Sequence, residues 1–202
     1  MLISSKHIID CIKAAQEADE LFALNTRQNG EFDRSIDDFR KFIKTYGDVR
    51  VLDHKLSFSG EPIRGATITY DDHYDVVILS GQDPYWRRFV EFKELFHVIL
   101  DSKDKEHIFR NHDYVKQVEN TLASFPDITN KSDNFVACEK LAEISAMEFL
   151  MPYSRRKELV DKISSGELDL YKIANMYQLP TEIIDLYLSE PYIERIGECI
   201  NA

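Results

Sequence analysis

Strand-like sequence is confined to one stretch of this chain, between Val49 and Leu79, and the rest has the apolar spacing of helices. Within that stretch, β-branched and apolar residues form three short segments, and Asp71-Asp72-His73 between the last two has the composition of a hairpin turn. Neighbouring strands that are joined by tight turns pair antiparallel. The sequence therefore predicts an α+β domain that is mainly helical and has a small, three-stranded antiparallel sheet.

Amphipathic segments precede and follow the predicted sheet. Two precede it, and Asn29-Gly30 separates them. After the sheet we expect helices near 85–101, 112–124, 132–151, 153–164, 169–177 and 180–188. A chain of 202 residues without repeats suits a single domain. We expect that domain to span residues 1–202, with N-terminal helices in 1–48, the sheet and motif helices in 49–152, and a C-terminal helical part in 153–202.

The composition indicates which kinds of partner and which cellular compartment are expected for this chain. A net charge of -11 at pH 7 disfavours charge-driven binding to nucleic acid. Cys11, Cys138 and Cys199 are scattered, which argues against a disulfide framework. No apolar run approaches the roughly 18 residues of a membrane span, and the first residues lack the apolar segment of a secretory signal. We therefore expect a soluble, cytoplasmic protein with no membrane partner.

One predicted helix carries residues with the spacing of catalytic chemistry. In zinc peptidases with a HExxH helix, two histidines on one face bind the metal, and the glutamate polarises a water molecule. Here the corresponding residues are Lys93, Glu94 and His97. Phe89 and Phe96 lie within one helical turn of Lys93, so the ammonium lies beside an apolar stripe. Such an ammonium needs a carboxylate partner, partial solvation or a shifted pKa.

A later predicted helix carries two carboxylates on one face. Glu139 and Glu143 are four residues apart, and the segment ends at Leu150-Met151-Pro152. The small residues Ala142 and Ala146 would let another helix approach closely. The two helices together therefore offer a possible set of metal ligands or ion-pair partners.

In order and spacing, these motifs resemble the ImmA/IrrE-type metallo-endopeptidases over roughly residues 60–190. The matching positions are Arg88-Phe89, Glu94, His97, Glu139 and Leu150-Met151-Pro152. The resemblance implies a compact zincin-like fold, zinc as cofactor, and cleavage or control of a partner transcriptional repressor, often one linked to a mobile element. By position, Glu94 would be the general base and His97 a zinc ligand. Glu139 would be the acidic ligand, with Glu143 as its rival.

Lys93 departs from the family pattern, because it stands where the first histidine ligand belongs. A protonated lysine has no lone pair for a metal, and one histidine with one carboxylate holds zinc weakly. In one interpretation the metal is lost and Lys93 pairs with Glu139 or Glu143. In the other, His107, His112 or a neutral Lys93 completes the ligand set. We favour metal loss, which predicts a degenerate site with Lys93 and Glu94 at its centre.

Three functions are consistent with these motifs. The first is a regulatory pseudoenzyme that binds a partner transcriptional regulator. The second is an active zinc metallopeptidase that cleaves a repressor, with Glu94 as general base. The third is a DNA-binding repressor, because residues 169–188 resemble a helix-turn-helix. The start of its second helix carries Thr181, Glu182 and Asp185 but no basic side chain, so direct nucleic-acid binding is disfavoured.

Overall fold

The structure is a computed structural model that describes residues 5–26, 34–55, 64–101 and 134–201. Within these ranges the elements are α1 (Ser5–Thr26), α2 (Ile36–Ile43), β1 (Val49–His54), β2 (Gly65–Thr69), β3 (Tyr74–Leu79), α3 (Pro84–Asp101), α4 (Asn134–Leu150), α5 (Tyr153–Ser164), α6 (Leu170–Tyr177), α7 (Thr181–Leu188) and α8 (Glu190–Ile200). The predicted α+β class, mainly helical with three strands, is confirmed. The helix predicted near 112–124 lies outside the described residues.

The sheet is mixed, so the prediction of a fully antiparallel sheet is wrong in that respect. Its strand order is β1-β3-β2, with β2 antiparallel and β1 parallel to β3. The hairpin between β2 and β3 is present, and the Tyr70 amide donates to the His73 carbonyl at 2.9 Å. The difference arises because β1 pairs with β3 rather than with β2, the strand that follows it in the chain. Strand β2 forms the antiparallel hairpin with β3, and β1 lies along the other edge of β3 in the same direction as β3.

Helices α1 and α2 share one hydrophobic core with the helices that carry the motifs. Phe39 of α2 is at the centre of this core. Its ring centroid lies 4.9 Å from that of Phe92, 5.6 Å from that of Phe96 and 4.8 Å from that of Phe149. Phe22 of α1 packs edge-on against Phe149 at 5.5 Å. The N-terminal helices therefore help to fix how α3 and α4 lie against each other.

Helices α5, α6 and α7 also contribute buried residues to this core, among them Leu159, Ile173 and Tyr187. The Asp169 side chain accepts from the Lys172 amide at the start of α6, and Gln178 ends α6 with a left-handed φ of 53°. Glu182 and Asp185 of α7 are exposed, as the sequence indicated. Helix α8 was not predicted from the sequence; its Pro191 lies in the first turn, where proline is tolerated. No described helix has both the length and the apolar character for a membrane span.

A buried ion pair fixes α2 on α3. Glu91 is 1% exposed, and the Arg40 guanidinium donates to both of its carboxylate oxygens, at 2.8 Å from Nη2 to Oε2 and also from Nε to Oε1. The hydrogen bond to Glu91 raises the pKa of Arg40, so the guanidinium stays charged. Without Arg40, the Glu91 carboxylate would be buried among apolar rings with no partner.

We expect Arg40→Ala to lower the free energy of unfolding by about 2 kcal/mol, below the ~3–5 kcal/mol of a fully buried pair, because Arg40 is partly exposed. Urea unfolding followed by circular dichroism measures this as a lower midpoint. Lys41→Ala on the same helix is the control, since Lys41 pairs with Asp38 at the surface and its loss should leave the midpoint unchanged. Equal midpoints for Arg40→Ala and wild type would contradict the assignment.

Candidate active site

Helix α3 carries Lys93, Glu94 and His97 on one of its faces. The helix begins at Pro84, where the Asp83 carboxylate accepts from the Tyr85 amide at 2.9 Å, as an N-terminal cap does. Residues at spacings of three and four then share a face. The side chain of Glu94 is completely buried, whereas those of His97 and Lys93 are 11% and 15% exposed. The motif therefore faces the interior of the protein and has a narrow exposed margin.

Glu139 of α4 meets this face, and each of its oxygens contacts a different basic group. The Lys93 ammonium donates to Glu139 Oε2. Glu139 Oε1 lies 3.1 Å from His97 Nε2. The structure thus brings together Lys93, Glu94, His97 and Glu139, four of the five residues that the sequence singled out. Their roles as catalyst or metal ligand stay predictions.

Strand β2 supplies two neighbours of Glu94 that the sequence did not reveal. Thr67 Oγ1 lies 3.0 Å from Glu94 Oε2 and 2.9 Å from the Glu94 carbonyl oxygen. A Cβ atom at Gly65 would lie 2.5 Å from Val90 Cγ1 and 3.2 Å from Glu94 Oε1, so the strand lies directly on α3. Alternation in β2 could have placed Thr67 on the inner face, but only the packing shows its partner.

Glu143 lies outside this site, although it is one turn from Glu139. Its carboxylate accepts from Tyr187 Oη of α7 at 2.8 Å and from the Lys140 ammonium. The face of α4 that carries both glutamates contacts α3 at Glu139 and α7 at Glu143. The spacing of the two glutamates in the sequence could not show which of them faces α3. His107 and His112, the other proposed ligands, lie outside the described residues.

The charges in the site stabilise one another. Burial would lower the pKa of Lys93, but the Glu139 and Glu94 carboxylates outweigh it and hold that pKa above its ordinary value. Burial would raise the pKa of Glu139, but Lys93 and His97 hold it below its ordinary value. The pKa of His97 is raised because Glu139 outweighs its burial. At neutral pH the site therefore contains a charged ammonium and a charged carboxylate, and the pair spans α3 and α4.

A comparison with protein families gave a match that covers the site. The model of the IrrE N-terminal-like domain, a peptidase family, matches residues 47–189. The chain belongs to this family. The matched segment holds the sheet, α3, α4 and every site residue named above, while α1 and α2 precede it. Neither the curated proteins nor the solved structures compared with the chain gave a match.

The family implies zinc, but the donor set of this IrrE-like site does not fit that ion. Zinc needs at least three side chains with free lone pairs directed at one point. Among the described residues, Glu94 Oε1 and His97 Nε2 make no hydrogen bond, but Glu94 Oε1 lies 2.8 Å from the Lys93 ammonium, and both oxygens of Glu139 face Lys93 or His97. A dication at their centre would also lie against the Lys93 ammonium. Within the described ranges, no group of three or more His, Cys, Asp or Glu side chains is arranged to hold a metal.

We expect Lys93→Met to lower the free energy of unfolding by about 3 kcal/mol at neutral pH, because the buried Glu94 and the partly exposed Glu139 both lose the ammonium. The folded-state pKa of Glu139 is below its ordinary 4.5, so its pairing stabilises fully above that pH and progressively less below it. The difference in the free energy of unfolding between the Lys93→Met variant and the wild type should therefore be smaller at acidic pH. Urea unfolding at neutral and acidic pH measures both effects.

The control for this prediction is Glu139→Gln in the Lys93→Met background. It removes the charge of Glu139, which keeps only His97 as a basic neighbour among the described residues once Lys93 is gone, so part of the lost stability should return. If the single and double variants unfold at the same urea concentration, the two side chains are not coupled and the ion pair contributes little.

Proposed function

We propose that this chain is a non-hydrolytic member of the IrrE N-terminal-like family, and that it controls a partner transcriptional regulator by binding it. The observation that carries the proposal is the position of the Lys93 ammonium, 2.8 Å from Glu94 Oε1 and in contact with Glu139. In the family pattern this position belongs to a histidine ligand. An ammonium there neutralises the carboxylates as a metal would, but it cannot coordinate a water molecule.

The state of Glu94 supports the same proposal. A general base needs a free lone pair within hydrogen-bond reach of the proton that it takes. Glu94 is fully buried; its Oε2 lies 3.0 Å from Thr67 Oγ1, and its Oε1 makes no hydrogen bond within the described residues but lies 2.8 Å from the Lys93 ammonium. Because this carboxylate is buried and ion-paired with an ammonium, it is better suited to holding α3, β2 and the ammonium together than to activating water.

The charge of the chain supports a protein as the partner. The net charge is -11, and the exposed residues of α7 include Glu182 and Asp185. An acidic surface repels the phosphates of nucleic acid. A protein regulator is therefore a better fit than direct binding to DNA, and the proposed place of action is the cytoplasm.

A second candidate function is a zinc metallopeptidase that cleaves a repressor. One observation favours it: Glu94, His97 and Glu139 keep the family arrangement, with His97 Nε2 only 3.1 Å from Glu139 Oε1. This function would require Lys93 to leave the site or a further ligand to enter it. The following two experiments separate the candidates.

We expect Glu94→Gln to leave control of the partner intact, because binding does not require a base. The measurement is mass spectrometry of the regulator that co-purifies with the tagged chain from cells. The co-purified regulator should be full-length both with the wild-type chain and with the Glu94→Gln variant. Glu158→Gln at an exposed position is the matched control, and melting curves check folding. Fragments with wild type but intact regulator with Glu94→Gln would establish the peptidase instead.

We expect untagged wild-type protein, purified without chelator, to contain no stoichiometric zinc. The Lys93→His variant should gain zinc, because an imidazole lone pair replaces the ammonium beside His97 and Glu139. Elemental analysis and equilibrium dialysis measure both. About one zinc per wild-type chain would refute the proposal, and no gain in the variant would show that the remaining side chains cannot converge on a metal.

A further inference from the structure

The helix pair α6–α7 is a motif that the site around Lys93 does not use. The two helices are joined by residues 178–180 and pack on each other. Each buries one face in the core, α6 through Ile173 and Tyr177, and α7 through Ile184 and Tyr187. In DNA-binding proteins with two helices joined in this way, the outer side chains of the second helix contact the partner molecule. The outer side of α7 is therefore the part of this motif to consider for binding.

The outer face of α7 combines acidic side chains with an apolar one. Glu182, Asp185 and Leu186 follow spacings of three and four residues, so they share one helix face. Both acids are exposed, and Leu186 is 42% exposed. Across residues 166–190 the exposed charged side chains are five acidic and one basic, which sum to -4: Glu167, Asp169, Glu182, Asp185, Glu190 and Lys172. Lys172 pairs with Asp169 at 3.3 Å, so it does not offset the charge of α7.

Helix α6 adds two large apolar side chains to the exterior of the pair. Tyr171 is 73% exposed and Met176 is 38% exposed. A single exposed apolar residue is ordinary, but here three large ones, with Leu186, lie on two adjoining helices of eight residues each. Exposed apolar side chains that are grouped and bordered by charged ones are typical of a surface that binds another protein.

We propose that this outer surface of α6 and α7, made by Tyr171, Met176, Glu182, Asp185 and Leu186, binds the basic DNA-reading surface of the partner transcriptional regulator and so keeps the regulator from DNA. The inference rests on the proposed function, because it takes the partner to be such a regulator. A protein that binds DNA presents Lys and Arg side chains to the phosphates. The acidic side chains attract these cations, and the apolar ones pack against their aliphatic stems.

The charge of this surface selects a basic protein over the other possible occupants. DNA would bring its phosphates against a surface segment whose charge is -4. A second copy of this chain would bring the same negative charge to the contact, so the two surfaces would repel each other. A basic surface with aliphatic stems satisfies both the charge and the apolar side chains.

Displacement from DNA tests the inference directly. The probe is a short, fluorescein-labelled DNA duplex bound at low salt by the regulator that co-purifies with the tagged chain. Fluorescence anisotropy follows release of the duplex as wild-type chain is added, and we expect complete release. The double variant Glu182→Lys, Asp185→Lys should need at least a ~tenfold higher concentration, because two attractive charges become repulsive.

The matched control is the double variant Glu158→Lys, Asp161→Lys on α5. It changes the same residue types, at the same spacing and at exposed positions, and it alters the net charge of the chain equally. It should release the duplex as the wild type does. Leu186→Ser tests the apolar contribution and should weaken release about tenfold, whereas Leu24→Ser, at an exposed position of α1, should not.

A second arm needs no regulator. Its probe is a synthetic, capped helical peptide with Arg and Leu on one face, compared with a peptide in which Glu replaces every Arg. In NMR titrations of the wild-type chain, the Arg peptide should shift amide signals of Glu182, Asp185 and Leu186. The Glu peptide should leave these signals unchanged. If no regulator co-purifies, this titration decides whether the surface binds a basic helix.

Each contrary result has its own meaning. Equal release by the two charge-reversal variants, or amide shifts confined to other helices, would overturn this inference, while a full-length regulator bound to the chain would still support the proposed function. A complex that holds chain, regulator and DNA together would overturn it as well. Self-association that Leu186→Ser abolishes would assign the surface to a second copy instead. Fragments of the regulator would defeat the proposed function itself.

Discussion

The Lys93 ammonium between two carboxylates is the interaction on which the site depends. It links α3 to α4 through Glu139 and keeps the buried Glu94 charge paired within α3. Lys93 and Glu139 hold each other in their charged forms, because each favours the ionised state of the other. The same ammonium also places a positive charge against the side chains that a metal would need. One side chain therefore accounts for the cohesion of the site and for its poor fit to zinc.

The elements around the site keep that pair in place. Thr67 and Gly65 press β2 against α3 and close off Glu94 from one side. On the other side, Arg40 anchors α2 to the same helix through Glu91. In the proposed function, the central cation of the site is a side chain in place of the metal that the family implies. Because the ammonium is part of the polypeptide, its position is set by the backbone of α3 rather than by the geometry of an ion.

Much of the fold could be predicted from local sequence, because helical spacing and proline breaks act over a few residues. A carboxylate partner for Lys93 was one of the three states expected for an ammonium beside an apolar stripe, and it is the state that the favoured interpretation of metal loss required. Which carboxylate it would be was not predictable: Glu139 and Glu143 share a face, and only the positions of α3 and α7 separate them. The mixed sheet and the role of Thr67 depend on strand order and on contacts between distant segments, which local patterns do not encode.

The packing of Phe39 shows that the family segment and the folding unit have different limits. The family match starts at residue 47, yet this ring lies among Phe92, Phe96 and Phe149 of the matched helices. A fragment that began at the family boundary would expose those rings to water and to the same rings of other fragment molecules. Such an exposed apolar patch favours aggregation. Expression of the site in isolation therefore needs the first helices as well, and similar cuts in relatives call for the same inspection.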